Sequence, residues 1–309
     1  MLASMLGAHS RILTIPEFHF KFSIVRDFDG VFDREHVPEA LERFKKHLDC
    51  NEWGIADLLE ETPPERFDGS YRQFVEFLVL RFAAQVGKPE FDYWVDHTPS
   101  NIAHSQFLLT QFEDARIIHI VRDGRAVAAS VLPLDWGPMT IRRAAEVWMM
   151  SLASGLAAEV VFPKDRVMRV HYEDIVCDPQ ETLGRITAFI GVSYEPGLEE
   201  GRGFAVPASG KSQHALVGSR PNPERIDAWR DTLTPRQVQL FEFYAGDMLR
   251  TLGYKTLRLG PGYRPSSWDI LRMNLGDLFK PYLRRTRYLK RYGVGAGRLW
   301  RRDPRKLRR

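Results

Sequence analysis

The sequence predicts an α/β fold with a parallel sheet covered by helices, and three observations support this. Strand-like and helix-like segments alternate from residue 93 onward, as in parallel α/β folds. The run "ARIIHIV" (115–121) is apolar on both faces, which is typical of a strand that helices cover on both sides. This run stops at the turn "RDGR" (122–125), and a helix-compatible segment follows. Parallel α/β proteins bind phosphate at such strand-to-helix turns.

The first 92 residues are predicted to be mainly helical. An amphipathic opening stretch (1–10) precedes the segment "RILTIPEFHF" (11–20), which we interpret as a loop. Two later segments, "PEALERFKKHL" and "YRQFVEFLVLRFAAQVG", repeat apolar residues at a spacing of three to four. Both patterns predict helices, and the second helix ends at Gly87.

Shorter elements are predicted from residue 93 onward. The patterns indicate a strand in "YWVDHTPSN", a helix in "SQFLLTQF", the strand "ARIIHIV", a long helix over 139–161, a strand ending near Tyr172 and a helix in "PQETLGRITAFIGV". Residues 194–227 are rich in Gly, Pro and Ser, which predicts a long functional loop. Thr234 and Gln237 have the spacing of a capping box, with Pro235 at the first helical position, and predict the start of another helix.

The composition is that of a globular protein. Of the 309 residues, 44% are hydrophobic and 27% are charged, as in soluble domains. Cys50 and Cys177 are too few for a disulfide framework or a structural zinc site. The sequence shows neither a secretion signal nor an apolar run of membrane-spanning length. We therefore expect a cytoplasmic protein.

A basic tail over 280–309 follows a predicted linker over 255–279. The tail contains 13 Lys or Arg residues and a single acidic residue, Asp303. Such a segment is attracted to nucleic acid, without sequence specificity, or to anionic lipid, which would make the protein peripheral to a membrane. Guidance of an acidic acceptor and a solvated extension are the other interpretations.

Several catalytic patterns are absent or incomplete. The patterns H-E-x-x-H, C-x-x-C and G-x-S-x-G do not occur, so we predict neither a metal site nor a serine hydrolase. The segment "AVPASGKSQ" (205–213) is close to the Walker A pattern, but Ala205 replaces its first glycine and no strand precedes it. We predict no triphosphate site there, while Ser212 stays a candidate contact for an anion.

Four segments occur in a fixed order that points to a known family. They are "VDHTPSN" (95–101), "IIHIVRDGRAVAASVL" (117–132), "RVHYEDIVCDP" (169–179) and "IDAWRDTLTPRQV" (226–238). Together they resemble the sulfotransferases that use 3′-phosphoadenosine-5′-phosphosulfate (PAPS), in particular the bacterial members and the protein-tyrosine branch. The resemblance runs from residue 1 to about 254 and is weakest over 21–92.

The resemblance implies a three-layer, P-loop-NTPase-like parallel sheet flanked by helices over 1–254. It also implies transfer of a sulfuryl group from PAPS to a hydroxyl or amine of a peptide, glycan or small molecule, without a metal. In this interpretation Arg122 and Ser130 bind the 3′-phosphate. Tyr172 packs beside the adenine or is an aromatic residue at the edge of the core, and Ser212 and Trp229 close over the nucleotide.

Glu17 is the catalytic base that the resemblance implies, because the tyrosine-sulfating branch has its glutamate at the corresponding place. A carboxylate there can accept the proton of the acceptor. His19 is the alternative base, since a neutral imidazole suits the same role. His97 stands where relatives have lysine, and it either donates to the sulfuryl oxygens or packs in the interior.

The family also has a Gly-rich loop before the opening helix, and the sequence starts inside that helix at Met1. We expect either a start further upstream or a truncated chain without the loop that contacts the 5′-phosphosulfate. In the second case the protein is a catalytically impaired binding module that attaches to a polyanion through its tail. A small-molecule kinase of the P-loop class is a third hypothesis.

Overall fold

A computed structural model describes residues 1–28, 30–60, 67–134, 137–204, 220–257 and 263–278. Ser212, the Walker-like segment 205–213 and the basic tail 280–309 lie outside the described residues.

Within the described residues the chain forms four short strands and thirteen α-helices. The strands are β1 (Ile12–Ile15), β2 (Tyr93–Asp96), β3 (Ile117–Val121) and β4 (Val167–His171). The helices are α1 (Leu2–Leu6), α2 (Phe20–Asp27), α3 (Val37–Lys45), α4 (Leu48–Trp53), α5 (Tyr71–Gln85), α6 (Ser105–Gln111), α7 (Gly124–Val131), α8 (Ile141–Val161), α9 (Tyr172–Cys177), α10 (Pro179–Ile190), α11 (Trp229–Thr232), α12 (Pro235–Thr251) and α13 (267–278).

The predicted α/β fold is confirmed, with one element missed. The segment 11–20 was expected to be a loop, but Ile12–Ile15 is β1, and all four of its residues are buried. The strand has only four residues and Pro16 follows it, so it is too short to show a clear period. The capping box at Thr234 is confirmed. The Thr234 side chain accepts from the Gln237 backbone N–H, and the Gln237 side chain accepts from the Thr234 backbone N–H.

The described chain divides into two compact units. The first consists of Met1–Ile120 and Ser154–Pro223, and the second of Val121–Ala153 and the described residues from Glu224 onward. The predicted domain over 1–254 therefore contributes to both units.

In the first unit a parallel strand pair separates two apolar clusters. β1 pairs with β2 in a register that aligns Ile12 with Tyr93 and Ile15 with Asp96. The β1 side chains alternate, so Leu13 and Ile15 join an aromatic cluster with α2 to α5, and Ile12 joins a second cluster with α1, α9 and α10. Burial on both faces is the property expected of a parallel strand covered by helices. β3 pairs with β4 in a separate two-stranded sheet.

In the second unit the turn after β3 leads into α7, which packs with α11 and α12. Within the segment 255–279, which was predicted to be a linker, residues 267–278 form α13. Trp268, Leu271, Leu275 and Leu278 repeat at helical spacing within it.

By length and composition alone, α8 is long and apolar enough to cross a membrane. Of its most apolar 18-residue stretch, 33% is buried within the structure. It is the one such helix among the described residues. The prediction that no uninterrupted apolar run reaches membrane-spanning length concerns a different property, because Arg142, Arg143, Glu146 and Glu159 interrupt Ile141–Val161. Its Glu159 pairs with His119, Nδ1 to Oε1 2.6 Å, and with Arg169, which are the contacts of a helix packed in a folded domain.

Candidate active site

The carboxyl ends of β1 and β2 carry the acid–base residues predicted from the sequence. Glu17 follows β1 by two residues and His97 follows β2 by one. Because the two strands are parallel, their carboxyl ends meet at one edge of the sheet, where α/β proteins bind their ligands.

Glu17 and His19, the two alternative bases, form a pair in the structure. His19 Nε2 lies 3.0 Å from Glu17 Oε2, with the two side chains 53% and 35% exposed. The hydrogen bond to Glu17 raises the pKa of His19 above its ordinary value, against the opposing effect of burial. The pair is partly open to solvent and therefore accessible to a substrate group.

Phe18, between the two members of this pair, has both of its backbone polar groups bound. Its N–H donates to Thr98 Oγ1 over 2.7 Å, and its carbonyl accepts from Lys21 Nζ over 2.6 Å. Its ring packs against Phe44 and Trp53 in the aromatic cluster. The backbone between Glu17 and His19 is thereby fixed from three directions.

Asp96, the last residue of β2, connects the two groups that bind Phe18. Its Oδ1 accepts from Thr98 N over 2.9 Å and from Thr98 Oγ1 over 2.5 Å. Its Oδ2 lies 2.7 Å from Lys21 Nζ, and the Lys21 side chain is 1% exposed. Burial lowers the pKa of Lys21, and the charge of Asp96 opposes this shift. We call Phe18, Lys21, Asp96 and Thr98 the Phe18 network.

No pattern in the sequence marks Lys21 as a functional residue, because lysine side chains are mostly exposed in folded proteins. Its burial follows from the position of Asp96 at the end of β2.

His97 and Tyr172 also lie in the first unit. The His97 ring contacts Phe204 edge-on, with ring centroids 5.3 Å apart, and its side chain is half-buried. Tyr172 is the first residue of α9, directly after β4, and is also half-buried. Both residues therefore follow the carboxyl end of a strand, as the sequence predicted.

Arg122 lies just before α7, and Ser130 lies within its last turn, both in the second unit. Arg122 follows β3 and is half-buried, and its carbonyl accepts from Trp148 Nε1 over 3.2 Å. Ser130 is exposed in the last turn of α7, and its Oγ donates to the Val127 carbonyl over 2.9 Å.

The other arginine of the turn, Arg125, has a different environment. It donates to Asp123 through Nε and Nη2, over 3.0 and 2.7 Å, and to Glu242 through Nη1, over 2.6 Å. Burial by itself lowers the pKa of Arg125, but the two carboxylates raise it above the ordinary arginine value. Trp229, a predicted nucleotide contact, is 4% exposed. Its ring packs beneath this guanidinium, with the Arg125 Cζ atom 4.2 Å from the ring centroid.

No group of three or more His, Cys, Asp or Glu side chains suited to a metal ion occurs in the part of the chain that the structure describes.

The described strands and helices define a protein of the parallel α/β class. A family model described as the sulfotransferase family matches residues 1–196. The chain therefore belongs to the sulfotransferase family.

Relatives of known activity include two kinds of sulfotransferase. Carbohydrate sulfotransferase 2 of Mus musculus is 26% identical over 206 residues, which cover 52% of this chain and 38% of that protein. Protein-tyrosine sulfotransferase 2 of Gallus gallus is 22% identical over 274 residues, which cover 85% of this chain and 68% of that protein. The chain spans less than half the length of the carbohydrate sulfotransferases it matches.

Solved structures confirm the fold. The sulfotransferase domain from the Synechococcus PCC 7002 olefin synthase matches with a TM-score of 0.55 at 21% identity, over 83% of this chain and 90% of that one. The sulfotransferase domain from the curacin biosynthetic pathway matches with a TM-score of 0.50 at 17% identity, over 83% and 93%. The predicted P-loop-like α/β fold is thus confirmed at the level of the backbone.

Proposed function

We propose that this protein transfers a sulfuryl group from PAPS to a hydroxyl or amine of its acceptor. The observation that carries the proposal is the Glu17–His19 pair at the carboxyl end of β1, with the backbone between its members fixed by the Phe18 network.

Cys50 and Cys177 are free thiols, which supports a reducing compartment such as the cytoplasm.

Glu17 has the geometry of a general base for this reaction. Its partner His19 occupies one carboxylate oxygen, so the other can accept the acceptor's proton. The new O–S or N–S bond would form as the S–O bond to the 5′-phosphate of PAPS breaks and adenosine 3′,5′-bisphosphate leaves. The same hydrogen bond with Glu17 favours the cationic form of His19, and a protonated imidazole cannot accept a further proton. We therefore assign the base to Glu17 and a supporting role to His19.

The donor set around α7 fits an oxyanion such as the 3′-phosphate of PAPS. Arg122 supplies a guanidinium before α7 and Ser130 supplies a hydroxyl in its last turn. Asp123 would repel a phosphate, but Arg125 neutralises it through two hydrogen bonds. When bound, PAPS supplies the activated sulfuryl group.

Four further residues have proposed contacts. Tyr172 would pack against the adenine, and Ser212 and Trp229 would complete the nucleotide contacts. His97 would donate a hydrogen bond to an oxygen of the transferred group, where charge develops.

The acceptor class rests on the relatives. The names of the relatives specify carbohydrate and protein tyrosine, and both substrates present a hydroxyl group. We accordingly propose a hydroxyl-bearing glycan or protein tyrosine as the acceptor.

The test combines a binding and a turnover measurement on the full chain. We expect adenosine 3′,5′-bisphosphate (PAP) to bind in calorimetry and label from [³⁵S]PAPS to appear in a glycan or tyrosine peptide. Glu17→Gln should abolish most of the transfer and leave PAP affinity unchanged. Binding of PAP without transfer would instead favour the binding module, and thermal stabilisation by ATP–Mg²⁺ but not by PAP would favour a kinase.

A further inference from the structure

α13, the last described helix, presents an apolar stripe to solvent. The α13 stripe consists of Trp268, Leu271, Leu275 and Leu278, which are 65%, 45%, 46% and 70% exposed. Their spacings of three, four and three residues place them on one face, because a helix turns by about 100° per residue.

The opposite face of α13 is packed against the second unit. Asp277 accepts from Thr140 Oγ1 over 2.8 Å and from Arg142 Nη2 over 2.5 Å. Met273 is 5% exposed, and a Cβ added at Gly276 would lie 2.9 Å from Thr140 Cγ2. These contacts fix the rotation of the helix about its axis, so the stripe points away from the unit.

The start of α13 is fixed as well. Ser266 N donates to Asp269 Oδ2 over 2.8 Å, and Asp269 N donates to Ser266 Oγ over 3.2 Å. Arg236 also donates to Asp269 and, over 2.7 Å, to the Tyr263 hydroxyl. The stripe is therefore borne on a helix that is anchored along its length.

The chain after α13 has the opposite character. The basic tail over 280–309, outside the described residues, contains 13 Lys or Arg residues and one Asp. The sequence therefore passes from an exposed apolar face to a strongly cationic segment within a few residues.

We propose that the α13 stripe and the basic tail dock this protein on the surface of an anionic phospholipid bilayer. The stripe would leave water by entering the boundary between headgroups and acyl chains, where tryptophan is favoured. The tail would pair with the anionic headgroups. A nucleic acid would neutralise the tail but leave the stripe in water, and a second copy would cover the stripe but bring two cationic tails together. This inference is independent of the proposed sulfuryl transfer.

The test measures co-sedimentation of the full chain with phosphatidylcholine vesicles that either contain or lack phosphatidylserine. We expect binding to the anionic vesicles only, weakened by salt, with a blue shift of tryptophan fluorescence. Leu271→Glu/Leu275→Glu should reduce the affinity by roughly tenfold or more, since two leucine side chains no longer leave water. Leu80→Glu/Val160→Glu is the matched control, because it adds the same charges at apolar positions that are 55% and 86% exposed.

Three results would overturn the proposal. Equal binding by the Leu271→Glu/Leu275→Glu variant and the wild type would show that the stripe does not touch lipid. Binding to duplex DNA but not to the anionic vesicles would assign the tail to nucleic acid. A lipid-free dimer in analytical ultracentrifugation that the same variant dissociates would assign the stripe to a second copy. Circular dichroism of each variant confirms that it is folded.

Discussion

The Arg125 guanidinium donates to the buried carboxylate of Glu242 over 2.6 Å and so joins α7 to α12. The side chains of Arg125 and Glu242 are 5% and 1% exposed. The same guanidinium binds Asp123, which caps the first turn of α7 by accepting from the Arg125 N–H. Arg125 is therefore a structural residue of the turn, and Arg122 is the arginine that we propose to bind phosphate.

Replacement of Arg125 by alanine should lower the free energy of unfolding by about 3–5 kcal/mol, because two buried carboxylates lose their cation. Urea denaturation followed by circular dichroism measures the change. Arg143→Ala is the control, since Arg143 is 53% exposed and, among the described residues, forms an ion pair only with Glu146. The loss of this exposed pair should lower the free energy of unfolding by less than about 1 kcal/mol. Equal costs for the two variants would contradict the structural role of Arg125.

Replacement of Arg122 by alanine should weaken PAP binding by about 1.5–3 kcal/mol, the range for a charge-assisted hydrogen bond. This corresponds to roughly 10-fold to 160-fold in the dissociation constant, which isothermal titration calorimetry measures directly. Arg122→Lys should recover part of the loss, because it keeps the charge but not the forked geometry. An unchanged affinity in Arg122→Ala would remove this residue from the site.

The two arginines of the turn show how far the sequence alone could reach. The strand-to-helix turn and its anion-binding character were predicted from "IIHIVRDGRA", but nothing local distinguishes Arg122 from Arg125. The difference comes from Glu242, which is 117 residues away from Arg125 in the chain.

The edge of the β1–β2 sheet shows the same limit. Glu17, His19 and His97 were predicted, and the pairing of Glu17 with His19 was not, because the two were weighed as alternatives. Lys21 was missed entirely, since its burial depends on Asp96 of another strand. A local sequence pattern predicts a helix or a strand, but the partner of a buried charge depends on the tertiary fold.

Replacement of Thr98 by valine should lower the transfer rate without changing PAP affinity. Valine keeps the volume of threonine but cannot accept from Phe18 N or donate to Asp96, so the backbone between Glu17 and His19 loses one of its fixed contacts. We expect a loss of stability of about 1–3 kcal/mol for the unsatisfied groups, and we expect kcat to fall by a larger factor than KM rises.

Thr98→Ser keeps the hydroxyl and should retain activity. Wild-type kcat in a folded Thr98→Val protein would show that the Phe18 network does not position the base.

The pKa of His19 should fall when Glu17 is replaced by glutamine, because the hydrogen bond to Glu17 is the largest cause of its raised value. Two-dimensional NMR of the imidazole protons across a pH titration measures this. In the wild type the pair's contribution to stability is fully present below the ordinary histidine pKa of about 6.5. It is lost as the pH rises through the raised folded-state value. An identical titration in wild type and Glu17→Gln would contradict the pairing.

Replacement of Gly155 by alanine should destabilise the first unit, although alanine favours helix. A Cβ at this position in α8 would overlap the imidazole of His119, and that ring cannot move freely because Nδ1 is 2.6 Å from Glu159 Oε1. Overpacking of this kind costs about 1–3 kcal/mol, which outweighs the gain of up to about 1 kcal/mol in helix propensity. Gly184→Ala in α10 is the matched control, since its added Cβ would meet no atom within 4 Å beyond its chain neighbours and the backbone of its own helix. It should stabilise by about 0.5–1 kcal/mol. Thermal unfolding should therefore shift in opposite directions for the two variants, and a rise in both would mean that His119 is free to move aside.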